Sequence, residues 1–271
     1  MTGSESKPQP YTALPELESK HLWIYTNYDC NLRCPYCLAR SSPQEPRREI
    51  GLTTAQRLVD EGIALGFEQI FFTGGEPFIL DDIYAMLGYA SARIQTTVLT
   101  NAMLFRGARL EKLKAIKNDR LSIQVSLDGG CPEHHDPYRG KGSWVKTVEG
   151  IKALLEAGFK VKLSTTETPA NLEHLAEICA FHLDLGIPED QHIVRPLAKR
   201  GFSDEGMGVG MTTIQPELTV DCEGVFWHPI STDHDMQVNN KVFPLADAIQ
   251  NIRQQLDAIR RTGTAAPMCF T

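Results

Sequence analysis

The sequence lacks the features of several protein classes. No apolar run is long enough for a membrane helix, and residues 1–10 lack the apolar segment of a secretory signal. Lys and Arg residues do not cluster and the net charge is -7, so an extended nucleic-acid surface is not expected. The hydrophobic fraction of 42% argues against a disordered chain. These absences predict a soluble cytoplasmic protein that binds neither membranes nor nucleic acid.

Metal and nucleotide patterns are also scarce. The chain has 7 cysteines, an odd number that is typical of reduced thiols rather than of a disulfide framework. The 8 histidines show no metal-ligand spacing, and His134 and His135 are expected to be ordinary polar residues of a loop beside Cys131. No dinucleotide fingerprint follows the first predicted strand, and Gly140-Lys141 is not followed by the Ser or Thr of a phosphate loop. A doubly wound dinucleotide domain is therefore only the second choice of fold.

Three of the cysteines lie in one short segment, residues 28–38, here called the cysteine loop. Cys30, Cys34 and Cys37 have the spacing C-x3-C-x2-C, so their thiolates can converge without help from distant sequence. Soft thiolate ligands favour zinc, copper(I) or iron–sulfur clusters. A closed zinc site needs four ligands, and an ordinary iron–sulfur cluster takes four cysteines, so three would leave one iron with an open position. A zinc site completed by a histidine such as His21 remains an alternative.

The cysteine loop, with Tyr36 before its last cysteine, resembles the motif of the radical S-adenosylmethionine (radical SAM) superfamily. The resemblance implies a 4Fe–4S cluster on the three cysteines and S-adenosylmethionine chelated to the open iron. One electron would then cleave the cofactor, and a 5′-deoxyadenosyl radical would abstract hydrogen from a substrate. It also implies an electron donor such as flavodoxin or ferredoxin.

The rest of the chain alternates between strand and helix patterns. Strands are predicted at residues 22–27, 69–73, 96–100, 121–127, 159–165 and 192–197. Helices are predicted from a Thr53–Gln56 capping box to Gly66, at residues 81–92 and 109–117, at 144–157 with Ser143 as N-cap, and at 172–185. Such alternation predicts an α/β fold with a parallel sheet, and the first choice is a partial (β/α)6 TIM-type barrel.

Candidate cofactor residues lie where these strands end, since sites in parallel α/β folds form at the carboxyl edge. Thr73-Gly74-Gly75-Glu76-Pro77 follows the second strand and is similar to the family's Gly-Gly-Glu-Pro motif, whose backbone and acid are expected to hold the methionine amino group. By resemblance, Ser126 contacts the ribose, with Asn101 near it, and Arg139 pairs with the methionine carboxylate. A surface position for Arg139 is the alternative. Thr165 and Leu197 are expected beside the adenine or in the core.

The chain is divided into a polar lead-in (1–20), a barrel (21–200) and a C-terminal cap (201–271). In the cap, a hairpin of residues 217–221 and 225–228 is followed by an amphipathic helix at 245–260. Ser-Leu-Asp-Gly and Arg-Pro-Leu resemble the subgroup with a SPASM or twitch tail, but this tail is poor in cysteine. One cluster and no auxiliary one is therefore predicted. A second metal site on Cys222, His228 and Cys269 is the alternative.

The predicted function is a radical SAM enzyme that modifies a peptide or a small metabolite. About twenty residues precede the first strand, too few for a peptide-recognition domain, so a peptide would dock directly or arrive on a carrier protein. Two alternatives stay open, an activase that installs a glycyl radical on a partner and a non-catalytic metal-binding module on the same fold. The substrate, the bond formed, the fate of S-adenosylmethionine and the oligomeric state are not predicted.

Overall fold

The protein is organised around one sheet that begins with six parallel strands. The computed structural model describes Leu17 and residues 19–261. The six strands are β1 His21–Tyr25, β2 Gln69–Thr73, β3 Gln95–Thr100, β4 Leu121–Ser126, β5 Lys160–Thr166 and β6 His192–Arg195. Each pairs in parallel with the next strand in sequence. The predicted α/β fold with a six-stranded parallel sheet is confirmed.

Helices cover the outer face of this sheet. They are α1 Leu52–Ala64, α2 Ile83–Ser91, α3 Ala108–Ala115, α4 Pro132–Arg139, α5 Ser143–Glu156, α6 Leu175–Asp184 and α7 Leu245–Arg261. Leu58 of α1 and Ile83 of α2 are fully buried in one apolar cluster with Ile70 and Phe72 of β2. Within residues 19–261, none of the helices is both long enough and apolar enough to cross a membrane.

Two predicted helix starts differ from the structure. Thr53 lies inside α1, and the N-cap is Gly51, whose φ of 72° is a conformation that glycine adopts without strain. Ser143 is the first residue of α5 rather than its cap. The cap of α5 comes from Asp136, whose carboxylate accepts hydrogen bonds from Gly142 N and Trp144 N at 2.6 and 2.9 Å. A capping group from a preceding helix leaves no local signal at the start of the helix that it caps.

Helix α4 was not predicted, because residues 131–139 read as a loop. Pro132 occupies the first turn, where its missing N–H costs nothing, but Pro137 lies inside the helix and removes one backbone hydrogen bond. Tertiary packing against α5 outweighs this weak helical propensity. The helix matters for function because it carries Arg139.

The C-terminal segment extends the sheet beyond β1. The predicted hairpin is present as β7 (Leu218–Val220) and β8 (Val225–Phe226), and a third strand, β9 (Gln237–Asn239), follows. Strand β7 pairs in parallel with β1, so the sheet order is β6-β5-β4-β3-β2-β1-β7-β8-β9. The barrel stays open, with β6 at one edge. The segment predicted as a cap therefore continues the sheet, and α7 packs its buried stripe against the core.

Candidate active site

The three motif cysteines line one cavity at the carboxyl ends of the strands. This thiol cavity has a volume of about 140 Å³ and is bounded by the cysteine loop, the β2 turn, the ends of β3 and β4, and Arg139. The loop turns tightly, because Cys37 N donates to Cys34 O at 3.0 Å and Cys30 N donates to Ser42 O at 3.2 Å. Backbone N–H groups also point at sulfur: Leu32 N lies 3.4 Å from Cys30 Sγ and Ser41 N lies 3.4 Å from Cys37 Sγ. Such bonds to ligating sulfurs tune iron–sulfur clusters.

The arrangement of the thiols fits a cluster better than a single ion. Among the described residues, Cys30, Cys34 and Cys37 do not form a group whose donor atoms all lie within 4.8 Å of one another. A tetrahedral zinc ion draws its ligands closer than that, whereas a cluster holds its thiolates on separate irons. His21, the proposed fourth zinc ligand, starts β1, while the cysteine loop follows the end of that strand, and its ring packs on Phe71. The zinc alternative therefore has no fourth ligand from His21.

Electrostatics in this cavity follow from burial. Burial raises the pKa of the Cys34 thiol to about 11, although the cation of Arg139 opposes the shift. Burial, together with the charge of Glu76, also raises the pKa of Cys30 above its usual range. Unligated thiolates are therefore disfavoured in this cavity, and binding to iron would have to displace the thiol protons. The residues present fit a buried iron–sulfur cluster, since a buried thiolate that no iron cation neutralises would cost folding free energy.

The glycine turn after β2 packs directly on the cysteine loop. Gly75 N donates to Asn27 O at 2.8 Å, and Glu76 N donates to Asp29 O at 3.0 Å. A Cβ atom on Gly75 would clash with the carbonyl oxygen of Asp29, and one on Gly74, whose φ is 133°, would clash with that of Asn27. Glycine is needed at both positions because two backbones meet there. The backbone of Gly74 and Gly75 lines the thiol cavity, as expected from their motif.

The Glu76 side chain lies elsewhere than expected. Its carboxylate is fully buried behind the cavity wall and is not among the lining groups. Oε1 accepts hydrogen bonds from Phe78 N at 3.2 Å and Thr100 Oγ1 at 2.8 Å, and Oε2 accepts one from Asn101 N at 2.8 Å. Burial raises its pKa to about 7, against the effect of these three bonds. The acid therefore links the ends of β2 and β3 through these hydrogen bonds, and its contact with the methionine amino group stays a prediction.

Arg139 lies in the wall of the cavity, which excludes the surface alternative. It is 9% exposed, and its Nε donates to Asp128 Oδ2 at 2.6 Å. The same oxygen accepts a hydrogen bond from the Tyr36 hydroxyl, and the other oxygen accepts one from Thr166 N at 2.9 Å. Asp128 is fully buried and was missed as a site residue. Its position in Ser-Leu-Asp-Gly, two residues beyond β4, was the available signal.

Most of the remaining predicted residues line a cavity, and one is buried outside it. Asn101 lines the thiol cavity and donates its amide to Asn31 Oδ1 of the cysteine loop at 2.9 Å. Leu197 lines the larger cavity described next, and Ser126 lines both. Thr165 is buried, and its hydroxyl donates to Leu127 O at 2.7 Å. The lining residues of β5 are Ser164 and Thr166 instead, because neighbouring residues of a strand point to opposite faces.

An inner cavity of about 230 Å³ opens from the thiol cavity. The two share lining residues, which are Cys37, Thr73, Gly74, Leu99, Ser126 and Arg139. Its far side is polar and was not predicted, with Arg195, Glu217 and His228 facing each other across the open side of the barrel. Arg195 donates to Ser164 Oγ at 3.2 Å, and burial lowers its pKa although Glu217 opposes the shift. The site therefore combines three thiols with an inner cavity that is lined by both a cationic and an anionic side chain.

The structure does not bring Cys222 and His228 together. Cys222 is exposed in the hairpin turn, whereas His228 follows the far end of β8 and lines the inner cavity. Its Nδ1 accepts a hydrogen bond from Ile230 N at 3.1 Å. Cys269 lies outside the described residues. The prediction of a single cluster stays a prediction.

Known proteins share this sequence pattern. The chain is 33% identical over 159 residues to the AdoMet-dependent heme synthase of Methanosarcina barkeri, which covers 58% of this chain and 45% of that protein. It is also 33% identical over 190 residues to the antilisterial bacteriocin subtilosin biosynthesis protein AlbA of Bacillus subtilis, which covers 68% of this chain and 39% of AlbA. The chain spans less than half the length of these curated relatives.

A solved structure shares the fold. Streptococcus suis SuiB bound to S-adenosylmethionine superposes with a TM-score of 0.59 at 19% identity, over 93% of this chain and 50% of SuiB. The Radical SAM superfamily model matches residues 24–182, more than half of the 271 residues, and this segment contains the cysteine loop, the glycine turn and Arg139. The chain therefore belongs to the radical SAM superfamily, whose cofactors are a 4Fe–4S cluster and S-adenosylmethionine.

Proposed function

We propose that this protein is an enzyme that cleaves S-adenosylmethionine reductively and uses the radical to modify a peptide or a related natural product. The observation that carries the proposal is the continuity of the two cavities, which share Cys37, Ser126 and Arg139. A cofactor held among the thiols would therefore face a chamber large enough for part of a substrate. When held by Cys30, Cys34 and Cys37, the cluster would supply the single electron that breaks the C5′–S bond of S-adenosylmethionine, which would give methionine and the radical that removes a hydrogen atom from the substrate.

The roles of the lining residues follow from their positions. Cys30, Cys34 and Cys37 would hold the cluster, and backbone oxygens of Gly74 and Gly75 would accept from the methionine amino group. Within residues 19–261, the hydrogen bond of Arg139 to Asp128 uses Nε, so the terminal nitrogens would be available for the methionine carboxylate, which a guanidinium binds well. These assignments rest on the cavity lining and on the family's motifs. Glu76 would act only indirectly.

The other proposed cofactor contacts come from both cavities. Ser126 would contact the ribose, with Asn101 near it, while Tyr36 and Leu197 would flank the adenine. The Tyr36 hydroxyl donates to Asp128, and Tyr36 lines the inner cavity, with the Arg139 guanidinium 5.5 Å from the centre of its ring. A flat aromatic ring and an apolar side chain are suited to a nucleobase.

A peptide substrate is favoured by the chemistry of the inner cavity and by the relatives. Arg195 and Glu217 offer one cation and one carboxylate, which suits the charged or amide groups of a peptide better than a purely apolar metabolite. AlbA is named for the biosynthesis of a bacteriocin, and SuiB is also known bound to its precursor peptide SuiA. The similarity to the AdoMet-dependent heme synthase supports a small metabolite as a second substrate class.

Electron delivery would occur at the cysteine loop. Arg33 is exposed on this loop and would offer a positive charge to an anionic flavodoxin or ferredoxin, whereas the exposed Arg40 just beyond the loop pairs with Asp233 at 3.0 Å. An activase of a glycyl-radical partner and a non-catalytic module remain the alternatives. For the chain as a whole, residues 21–200 would form the catalytic core, and residues 201–271 would complete it by extending the sheet and lining the inner cavity.

One assay tests the proposal. Protein reconstituted anaerobically with iron and sulfide is mixed with S-adenosylmethionine and a reductant, and 5′-deoxyadenosine is measured with and without peptides encoded beside the gene. The expected result is slow cleavage alone and faster cleavage, with a mass change in the peptide, when the substrate is present. The Cys34→Ala protein serves as the control. Absence of 5′-deoxyadenosine from protein with a full cluster would show a non-catalytic module, and cleavage with no modified peptide would favour the small-metabolite class.

A further inference from the structure

A second group of metal-binding side chains lies away from both cavities. His134 of α4, His174 in the turn before α6, and Glu177 of α6 offer donor atoms that all lie within 4.8 Å of one another. The Cys131 thiol, at the start of α4, is 3.4 Å from His134 Nδ1. None of these four residues lines the thiol cavity or the inner cavity. The group is thus independent of the proposed cofactor site.

The backbone packing brings these side chains together. A Cβ atom on Gly129 would clash with His134, and one on Gly130 would contact the backbone of Glu177 at 3.5 Å. Trp144 holds the same turn by donating its indole N–H to Gly129 O at 2.9 Å. The close approach of α4 and α6 is therefore built into the turn after β4. It does not depend on the long side chains that reach across.

The side chains of the group contact one another in the structure. The rings of His134 and His174 stack with their centroids 3.8 Å apart, and His174 Nδ1 lies 3.1 Å from Glu177 Oε1. Both rings are half-buried and Glu177 is exposed, so small rotations can direct the donor atoms at one point. The neutral imidazole is the form of histidine that binds metals. An exposed His–Glu pair alone contributes little to stability.

The geometry points to one zinc ion bound by His134, His174 and Glu177, whose donor atoms already lie within 4.8 Å of one another. Cys131, whose thiol lies outside that set but 3.4 Å from His134 Nδ1, would rotate about its Cα–Cβ bond to supply the fourth ligand. One thiolate, two imidazoles and one carboxylate form a tetrahedral donor set that zinc accepts, and a borderline-soft cation prefers it to calcium or magnesium. The ion would link α4, which carries Arg139, to α6 on the outside of the barrel. Zinc binding at this site requires neither a substrate nor an electron donor. It can therefore be tested independently of the proposed function.

Zinc and cobalt binding to the cluster-loaded protein tests this site, because the loaded cluster keeps the metals away from Cys30, Cys34 and Cys37. Zinc per chain is measured after equilibration with a competing chelator, and cobalt(II) is followed by its visible spectrum. The expected result is about one zinc per chain and a tetrahedral cobalt spectrum with a thiolate charge-transfer band. Affinity should fall at least tenfold in His134→Ala and in His174→Ala, and the thiolate band should vanish in Cys131→Ser.

An exposed histidine outside the group provides the control. His234→Ala should bind zinc like the wild type. Since the four side chains are at least partly exposed, these variants are expected to fold, and an unchanged cluster absorbance checks it. Equal zinc affinity in the wild type and the His134→Ala/His174→Ala double variant overturns the site, as does a cobalt spectrum without a thiolate band.

Discussion

Arg139 Nε lies 2.6 Å from Asp128 Oδ2, and the Arg139 side chain of this buried ion pair lines both cavities. Asp128 is fully buried, and its carboxylate also accepts hydrogen bonds from the Tyr36 hydroxyl and from Thr166 N. One carboxylate thus connects the cysteine loop, β5 and α4. The orientation of the guanidinium towards the cavity depends on this buried hub.

The first prediction concerns the hub in cofactor binding. Asp128→Asn keeps the size of the side chain but removes the charge that orients Arg139. Affinity for S-adenosylmethionine should fall by about ten- to a hundredfold, since charge-assisted hydrogen bonds contribute roughly 1.5–3 kcal/mol. Anaerobic calorimetry on cluster-loaded protein measures it, with the exposed Asp184→Asn as control. An unchanged affinity at full iron content would falsify the orienting role.

The second prediction concerns stability. Arg139→Gln alone leaves the Asp128 carboxylate buried without its cation, which should cost about 3–5 kcal/mol in the free energy of unfolding. Adding Asp128→Asn removes the unpaired charge, so the double variant should be more stable than Arg139→Gln. Urea unfolding of the four proteins gives the coupling energy. Additive losses would mean that the two side chains do not depend on each other.

The third prediction concerns the cluster ligands. Cys30→Ala, Cys34→Ala and Cys37→Ala should each lose the 4Fe–4S cluster and reductive cleavage, because one iron would lack its protein ligand. Cys179→Ala and Cys222→Ala are matched controls that should keep about four irons per chain. Iron and sulfide analysis measures the content. Clearly more than four irons in the wild type, with the excess lost in Cys222→Ala, would reveal an auxiliary cluster.

The fourth prediction concerns Glu76. Gln offers one acceptor where the carboxylate accepts from Phe78 N, Thr100 Oγ1 and Asn101 N, so Glu76→Gln leaves at least one buried donor unpaired. The loss should be about 1–3 kcal/mol in the free energy of unfolding. Urea unfolding at pH 8, above the Glu76 pKa of about 7, measures it. The exposed Glu68→Gln is the control, and equal losses in both variants would contradict the bracing role.

The fifth prediction concerns pH and His182. This side chain is 1% exposed, neither ring nitrogen has a hydrogen-bond partner among residues 19–261, and its ring meets the His192 ring edge to face. Burial, helped by His192, lowers its pKa from 6.5 to about 3. Between these values the unfolded chain binds a proton that the folded chain does not, so stability is lost as the pH falls below 6.5.

His182→Phe should remove that loss. Relative to the wild type, the variant should gain at most about 1.4 kcal/mol for each pH unit below 6.5, and the difference should be constant above pH 7. Urea unfolding across this pH range is the measurement. The exposed His234→Phe should show no such trend. A pH-independent difference for His182→Phe would mean that the histidine is not neutral in the folded state.

Several features could be predicted from sequence because they are local. The cysteine loop is one short segment, and the glycine turn follows a recognisable buried strand. Both motifs can therefore be identified without tertiary information. The alternation of strand and helix patterns predicted the six parallel strands for the same reason, since periodicity is a property of consecutive residues. The placement of Ser126, Asn101 and Leu197 at strand ends then follows from parallel pairing.

Other features were decided by contacts between distant segments. A shift of one residue in the register of β5 decides whether Thr165 or Thr166 faces the cavity. The capping group of α5 comes from another helix. The inward turn of Glu76, the Asp128 hub and the polar side of the inner cavity arise only when β1 to β7 assemble.

The sequence by itself determined the family and the parallel sheet, and it placed the three candidate cluster ligands in one loop, because these signals lie within single strands and turns. Only the tertiary structure decided that the C-terminal hairpin continues the sheet at β1, that the Glu76 carboxylate is bonded to Asn101 N behind the cavity wall, and that Arg139 is held by Asp128. The physical reason is that a buried polar group needs a hydrogen-bond partner, which the fold can supply from a distant part of the sequence. Asn101 N, the partner of Glu76, and Asp128, the partner of Arg139, both lie in other segments of the chain than the groups that they bind.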